Sequence, residues 1–143
     1  MQLKITTDYA IRMTLYLAML RGVATAADIG TVMAIPQKYV TTVAKPLCSA
    51  GILRTVRGTN GGFALNLPPE EITLKMIVES TEGTTRINRC LEADHYCSRS
   101  GAETCPVRQF YQYIQNRVDE AFGNMTIAKL LQEPPDTDYQ KLK

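Results

Sequence analysis

The chain has 143 residues, 45% of them hydrophobic and 21% charged, with a net charge of +2. This composition is ordinary for a globular protein of one domain, or of a small domain with an appendage. No apolar run approaches the roughly 20 residues that cross a bilayer, and the first residues lack the features of a signal peptide. We therefore expect a cytoplasmic protein without a membrane partner, whose four cysteines serve metal or redox chemistry before disulfides.

The charges are distributed unevenly along the chain. Residues 1–69 carry seven basic and two acidic side chains, whereas residues 70–143 carry nine basic and twelve acidic ones. No aspartate or glutamate occurs from Ile29 to Pro69. A span of that length without acids can lie against phosphates without repulsion, which favours a nucleic-acid partner. Chance, in a chain with few charges, is the alternative.

The first predicted helix runs from Asp8 to Leu20, where apolar residues recur at helical spacing. Thr6 or Thr7 is expected to cap its N-terminus, and Gly22 to end it. Asp8 falls in the first turn, where the helix dipole favours an anion. Taken alone, this aspartate is interpreted as an ordinary surface acid.

Two short helices separated by a tight turn follow. Thr25 is expected to cap a helix over residues 26–33, and Pro36 to open the next one. Pro46 lies inside that helix and removes a backbone hydrogen bond, so a bend is expected near Thr42. The pair predicts a helix-turn-helix, whose second helix enters the major groove, and a helical hairpin with a solvated face is the alternative. The side chains expected to contact DNA are Gln37, Lys38, Tyr39, Thr41, Thr42 and Lys45.

A glycine-rich hairpin comes next. Residues 52–57 and 63–67 are predicted as strands around a turn over 58–62, whose residues accept positive φ. A hairpin directly after a helix-turn-helix is typical of a wing. Its tip suits close approach to the DNA backbone and insertion of arginine into a narrow minor groove. The wing residues expected to contact DNA are Arg54, Arg57, Gly58, Asn60 and Gly61.

Beyond the wing, Thr73 is expected to cap a helix that reaches about Glu82. About twenty residues without periodicity follow, and a loop of that length in a small domain is usually functional or disordered. From Pro106, apolar residues form one stripe over about four turns, which must be buried on another surface. A second copy of the chain is the expected partner, and packing within one subunit is the alternative. The stripe consists of Val107, Phe110 or Tyr111, Ile114, Val118, and Ala121 or Phe122.

These elements predict a mainly α fold with a small β wing: a winged helix-turn-helix DNA-binding domain plus a long dimerisation helix. Residues 1–82 form the DNA-binding domain and residues 83–105 the cysteine-containing sensor loop. Residues 106–133 hold the dimerisation helix and a C-terminal short helix capped by Thr126. Residues 134–143 are expected to be a flexible tail.

Cys90, Cys97 and Cys105 lie in the sensor loop, with six and seven residues between them. Zinc sites usually contain a tight Cys-x2-Cys pair, which this loop lacks. Iron–sulfur clusters also need thiolates but tolerate looser loops, with an oxygen or nitrogen donor in place of one cysteine. The spacing favours a cluster, while metal-free thiol sensing, zinc, or no role stay open. Cys48 is expected to be a small buried hydrophobe.

Four stretches carry a family resemblance: T-D-Y-A near the start, A-G-I-L-R-T-V-R-G-T-N-G-G-F-A-L in the wing, the three loop cysteines, and N-M-T-I-A-K-L-L near the end. On these, the chain from Leu3 to Leu131 resembles the iron–sulfur and nitric-oxide-responsive winged-helix regulators of the IscR and NsrR group. The resemblance implies a homodimer that binds palindromic operators on double-stranded DNA. It also implies a dimer interface of long helices, and a cluster between the loop of one subunit and the first helix of the other.

The resemblance further implies a fourth ligand. NsrR-like proteins supply an aspartate from the other subunit at the place of Asp8, which this chain has. IscR-like proteins have a histidine where this chain has Arg108, a residue that cannot ligate a metal, and a two-iron branch has one where this chain has Arg12. We therefore expect Asp8 of the partner subunit as the ligand, with His95 as the alternative. The cysteine gaps are commonly five and five in the group but six and seven here, which leaves the cluster type open. A 4Fe-4S cluster is favoured, with a 2Fe-2S cluster as the alternative.

The expected function is a dimeric DNA-binding transcriptional regulator that acts as a repressor. Its operator binding would be controlled by an iron–sulfur cluster sensing redox state, nitric oxide or iron–sulfur status. The alternative is a cluster-free regulator of the same fold that responds to thiol oxidation or a partner protein. An enzyme is not expected, and a small redox enzyme or electron carrier is disfavoured because the chain has no nucleotide or substrate motif.

Overall fold

The computed structural model of the protein describes residues 2–132, so the predicted tail over 134–143 lies outside the described residues. The fold is mainly helical with a two-stranded sheet, as predicted. In chain order, the elements are α1 (Ile5–Leu20), α2 (Ala26–Met33), α3 (Gln37–Ser49), β1 (Leu53–Val56), β2 (Gly62–Leu65), α4 (Leu74–Thr81), α5 (Pro106–Asn124) and α6 (Ile127–Gln132). Among residues 2–132, no helix combines the length and apolarity needed to cross a membrane.

Helix α1 begins earlier than predicted, and its N-terminus is stabilised by a distant residue. The N-cap position is Lys4, whose side chain makes no capping hydrogen bond, so the predicted cap by Thr6 or Thr7 is wrong. Instead, the Glu82 carboxylate after α4 accepts hydrogen bonds from the Lys4 amide at 2.8 Å and the Thr7 hydroxyl at 2.6 Å. Burial alone would raise the pKa of Glu82, but these bonds outweigh it and the pKa is lowered. The start of α1 is therefore fixed to the end of α4.

The connection from α1 to α2 is short. Arg21 ends α1 in the left-handed conformation with φ 54°, and its amide donates to the Leu17 carbonyl, so the predicted stop at Gly22 is wrong by one residue. Thr25 caps α2 as predicted. Its hydroxyl accepts from the Asp28 amide at 3.1 Å, while the Asp28 carboxylate accepts from the Thr25 amide at 3.2 Å. The bond from the Thr25 hydroxyl also lowers the pKa of Asp28.

The hydrophobic core is built around α1, which packs against α2, α3, α4 and α6. Ala10, Met13 and Leu17 of α1 are fully buried at helical spacing. The large apolar side chains that join them are Ile29, Ile35, Val40, Val43, Leu47, Ile52, Leu53, Ile72, Ile77 and Ile127. Because these come from α2, α3, β1 and the C-terminal helices, one core sets the position of α3 and of the hairpin relative to α1.

Strands β1 and β2 form an antiparallel hairpin, with Leu53 opposite Leu65 and Val56 opposite Gly62. Both are shorter than predicted: β1 lacks one predicted residue at each end, whereas β2 begins one residue earlier than predicted and ends at Leu65. Phe63 of β2 also forms a bridge with Ala24, in the segment between α1 and α2. Gly62 permits this approach, since a Cβ there would lie 2.1 Å from the Ala24 carbonyl oxygen.

We expect Gly62→Ala to destabilise the fold by about 1–3 kcal/mol, the usual cost of overpacking. The added methyl group would force the hairpin away from Ala24. Gly83→Ala is the matched control, because nothing lies within 4 Å of a Cβ at that position. Urea unfolding followed by circular dichroism measures both variants, and equal loss of stability would contradict the close approach at Gly62.

The C-terminal helices close the fold. Thr73 caps α4 and Thr126 caps α6, as predicted. The two helix starts are bound together, because the Ile127 amide donates to the Ile72 carbonyl at 2.8 Å. Helix α5 begins at Pro106 as predicted, with the proline in its first turn. The sensor loop contains a short 3-10 turn over Arg89–Leu91, which periodicity did not predict because three residues carry no pattern.

Candidate DNA-binding surface and sensor loop

Helix α3 buries one face and exposes the other. Val40, Val43 and Leu47 are buried as predicted, together with Ala44. The opposite face carries donors and acceptors suited to base edges and phosphates. All six α3 residues predicted to contact DNA are exposed on it: Gln37, Lys38, Tyr39, Thr41, Thr42 and Lys45. The helix is therefore anchored on the core and free to enter a groove.

The last turns of α3 hold two less regular residues. Pro46 lies inside the helix, and the bend expected near Thr42 stays a prediction. Cys48 is half-buried rather than fully buried. Its Sγ lies 4.0 Å from the Thr55 Oγ1 of β1, so the thiol packs between α3 and the hairpin.

The first turn of α3 is linked to α1 through aromatic and cationic side chains. The rings of Tyr39 and Tyr9 lie 5.9 Å apart, and the Lys38 ammonium lies 5.2 Å from the Tyr39 ring centroid. The Arg12 guanidinium lies 5.7 Å from the Tyr9 ring centroid and donates to the Met33 carbonyl at 3.4 Å. Side chains of α1 thus contact both α2 and α3.

The tip of the hairpin is a tight, exposed turn. Gly58 has φ 114°, a left-handed conformation that glycine adopts without steric cost. The Gly61 amide donates to the Gly58 carbonyl at 3.0 Å, and a Cβ on Gly61 would lie 2.4 Å from the Val56 carbonyl oxygen. Arg57 and Asn60 are exposed beside this turn. The tip therefore presents backbone and one arginine to an approaching duplex.

Arg54 lies apart from the other residues predicted to contact DNA. Its neighbour Thr55 faces Cys48 of α3, and because successive strand residues alternate, Arg54 faces the other side of the hairpin. There it lines a groove with Arg21 and Glu70. A contact between Arg54 and DNA stays a prediction, and it would involve a different stretch of backbone from α3.

The sensor loop carries three free thiols. Cys90 lies in the 3-10 turn, and Cys105 occupies the N-cap position of α5. Cys97 and Cys105 line one cavity of about 180 Å³, which Cys90 does not line. Two of the three predicted ligands are thus brought together. Within residues 2–132, no three His, Cys, Asp or Glu side chains are grouped so that they could hold a metal ion.

The surroundings of Cys97 favour its ionised form. Backbone amides, above all that of Gly101, lower the pKa of its thiol, and the thiolate is the form that binds metals and reacts with oxidants. His95, the alternative ligand, lines a second cavity together with Cys97 and has φ 48°. Asp94 is paired with Arg89, which lowers the pKa of Asp94 to about 2. That carboxylate therefore stays charged and bound to the arginine.

Asp8 lies in the first turn of α1, where it forms an ion pair with Arg12 at 2.6 Å. It does not join the cysteines of its own chain in a metal site. Its predicted role as a ligand therefore requires a second subunit, and also requires that Asp8 leave Arg12.

Two side chains of α5 hold the sensor loop on this helix, a role that the sequence alone did not indicate. The Arg108 Nε donates to the Cys90 carbonyl at 3.0 Å. Gln115 is a buried residue of α5. Its amide nitrogen donates to the Thr85 carbonyl at 3.2 Å, and its amide oxygen accepts from the Ile87 amide at 2.9 Å. The sequence could have indicated a buried Gln115, because this residue lies between Tyr111 and Val118 on the apolar side of the helix.

The predicted apolar stripe of α5 is only partly covered by its own subunit. Tyr111, Val118 and Phe122 flank Gln115 and are half-buried. Val107 and Phe110, in the first turn of the helix, are exposed, and so is Tyr113 one turn after Phe110. The packing of α5 on its own subunit therefore leaves these three apolar side chains in solvent.

The chain matches the Rrf2 family, described as iron-dependent transcriptional regulators, over residues 3–133. The transcriptional regulator NsrR of Halalkalibacterium halodurans is 34% identical over 92 residues, which cover 63% of this chain and 63% of that protein. The fold is shared with CymR, the global cysteine regulator of B. subtilis, with a TM-score of 0.73 at 23% identity over 91% of this chain and 95% of that one. It is also shared with IscR of T. potens, with a TM-score of 0.73 at 18% identity over 99% and 96%.

Fold and family lead to the same conclusion. Helices α2 and α3 form a helix-turn-helix, and the β1–β2 hairpin that follows is its wing. Relatives across the family are transcriptional regulators rather than enzymes. The chain therefore belongs to the Rrf2 family and is a winged-helix, DNA-binding transcriptional regulator.

Proposed function

We propose that the protein is a dimeric repressor whose binding to a palindromic operator is controlled by an iron–sulfur cluster at the sensor loop. The observation that carries the proposal is the set of three free, half-buried thiols on one loop between α4 and α5. The iron dependence in the family description and the resemblance to NsrR support it.

The exposed face of α5 supports a homodimer. Val107, Phe110 and Tyr113 are 52%, 59% and 55% exposed, and contiguous large apolar side chains on a surface mark an interaction site. A twofold axis beside α5 would bury the same face on both subunits. The two α3 helices would then address half-sites about one helical turn of DNA apart, which requires a palindromic operator.

The donor set fits an iron–sulfur cluster in its chemistry, with three thiols and one carboxylate. Cys90 does not share the cavity of Cys97 and Cys105. The part of the sensor loop that carries Cys97 must therefore move toward Cys90 to assemble the site. The partner subunit's Asp8 would be the fourth ligand, with His95 as the alternative. A bound cluster, 4Fe-4S in preference to 2Fe-2S, would supply a centre that reacts with oxidants and nitric oxide.

Helix α1 offers a route from Asp8 to the DNA-reading helices. Arg12, the ion-pair partner of Asp8, donates to Met33 at the end of α2 and lies over Tyr9, which contacts Tyr39 of α3. Withdrawing Asp8 from Arg12 changes the charge balance beside both helices. Because the two α3 helices must match two half-sites together, a small shift of α3 changes operator affinity.

The test is anaerobic reconstitution with iron and sulfide, followed by iron and sulfide assays. DNA binding by the iron-loaded and iron-free forms is then compared on the protein's own promoter. We expect a coloured protein whose operator affinity differs between the two forms. A colourless, iron-free protein after reconstitution would overturn the cluster without affecting the assignment as a DNA-binding regulator.

A second candidate is a cluster-free regulator of the same fold that senses thiol oxidation. It is favoured by the one cavity that Cys97 and Cys105 line together. Hydrogen peroxide would take two electrons from these thiols, forming one S–S bond while two water molecules are released. Mass spectrometry of the peroxide-treated, iron-free protein tests it. A Cys97–Cys105 disulfide that changes DNA affinity supports this candidate, and two free thiols reject it.

We expect Arg57→Gln to weaken binding to all DNA sequences and to reduce the slope of log affinity against log salt by about one. Arg57 is exposed beside the wing tip, where its guanidinium can pair with a phosphate or enter the minor groove. Lys75→Gln on α4 is the control, because it removes the same charge at a position outside residues 29–69, which contain no aspartate or glutamate. Fluorescence anisotropy with labelled operator over a salt series measures both. Equal slopes for the two variants would remove Arg57 from the interface.

A further inference from the structure

Helix α5 turns a glutamine toward its own subunit. Gln115 is 0% exposed, and it is the one buried side chain of α5, a helix that lies wholly within the described residues. A buried amide group costs free energy unless its donors and acceptor find partners. Here the Oε1 accepts from the Ile87 amide at 2.9 Å, and the Nε2 donates to the Thr85 carbonyl at 3.2 Å and the Asp119 carboxylate at 2.8 Å. The side chain is therefore fully engaged in holding residues 85–87.

Two further contacts from α5 reach the same part of the sensor loop. Asp119 also pairs with Arg86 at 3.1 Å, and Arg108 donates to the Cys90 carbonyl at 3.0 Å. Positions 108, 115 and 119 fall on one side of a helix and span about three turns. Residues 85–90 are thus bound along α5, with Gln115 as the buried contact in the middle.

The second part of the sensor loop is held differently. In residues 93–104, the described hydrogen bonds and ion pairs join neighbours in the loop, such as Arg89 with Asp94 and the Ser100 amide with the Cys97 carbonyl at 2.9 Å. Cys97 therefore belongs to a locally bonded segment, while Cys90 belongs to a segment fixed on α5. When the loop closes, the movement acts on α5 through the fixed segment.

We propose that Gln115 is the positioning residue that couples the sensor loop to the dimer helix. It holds residues 85–87 on the inner side of α5, while Phe110 and Tyr113 lie exposed on the outer side. A change in the loop is thereby passed to the dimer interface, and so to the spacing of the two α3 helices. This inference rests on the proposed function, because it concerns how loading of the loop alters operator binding.

The experiment compares Gln115→Leu with Gln112→Leu in the full-length protein. Gln112 lies on the same helix, but its amide bonds only Asn116 at the surface, so the control has the same change in chemistry without loss of the loop contact. Hydrogen exchange reports the Ile87 amide, and anisotropy gives operator affinity for the iron-loaded and iron-free forms. In Gln115→Leu we expect faster hydrogen exchange at the Ile87 amide. We also expect the ratio of operator affinities of the iron-loaded and iron-free forms to lie at least about fivefold closer to one than in the wild type. Gln112→Leu should keep both wild-type values.

The affinity ratio separates coupling from stability, because general destabilisation weakens both forms alike. A wild-type ratio in Gln115→Leu together with fast exchange at Ile87 would overturn the inference and leave the proposed function standing. If Gln115→Leu does not fold, Arg86→Gln, which removes an exposed contact to Asp119, decides the question through the same ratio. A wild-type protein that takes up no iron would overturn both the proposed function and this inference.

Discussion

Replacing Phe110 by aspartate is expected to convert the proposed dimer into a monomer and to weaken operator binding by about 10²–10⁴-fold. Phe110 is 59% exposed on the subunit, so the fold should tolerate the change. In a dimer that uses this face, each subunit would bury an uncompensated carboxylate in a desolvated interface, which is strongly unfavourable. The affinity falls because each subunit then binds its half-site alone, without the high effective concentration that the linked second half-site provides. Sedimentation velocity and anisotropy measure the two effects.

Gln132→Asp is the matched control for this change. Gln132 is also exposed and gains the same charge, but it lies at the end of α6 rather than on α5. We expect it to stay dimeric and to keep its operator affinity. A Phe110→Asp protein that sediments as a dimer would show that the subunits associate through another surface.

The second large effect concerns the cysteines. Serine in place of Cys90, Cys97 or Cys105 is expected to reduce bound iron and sulfide after reconstitution to near zero, because each change removes one thiolate ligand. Cys48→Ser is the control, since Cys48 packs between α3 and β1, 4.0 Å from Thr55. It should load like the wild type. Iron bound equally by all four variants would show that these thiols do not form the site.

Mixed dimers can extend the same experiment to the fourth ligand. If the partner subunit supplies Asp8, a dimer of one Asp8→Asn subunit and one Cys90→Ser subunit retains one complete set of ligands. Mixing the two inactive variants should then restore part of the bound iron. Iron that is not restored, together with loss of iron in His95→Asn, would instead favour the histidine.

Helix starts and exposed helix faces could be predicted wherever the residues that determine them are close together in the sequence. The Thr25–Asp28 capping box defines the start of α2 within four residues of sequence, and Pro106 opens α5 for an equally local reason. The exposed face of α3 follows from its helical period, so the side chains predicted to contact DNA are all found in solvent. For these features no distant contact was needed.

The start of α1 and the arrangement of the cysteines could not be predicted in this way. Glu82, which stabilises that start, is 75 residues from Thr7 along the chain. The sensor loop has no periodicity, so spacing could not indicate that Cys97 and Cys105 share a cavity while Cys90 is bound to α5. Contacts at such separations depend on the whole fold.

Periodicity, capping and turn chemistry act over a few residues, so they were enough to predict a mainly helical, winged DNA-binding fold, three thiols on one loop and a long amphipathic helix. Which side of that helix faces its own subunit depends on contacts between distant parts of the chain. A helical period predicts that an apolar stripe exists, but not which part of it the subunit covers. The covered side contains Gln115, whose buried amide finds its partners in a loop about thirty residues away.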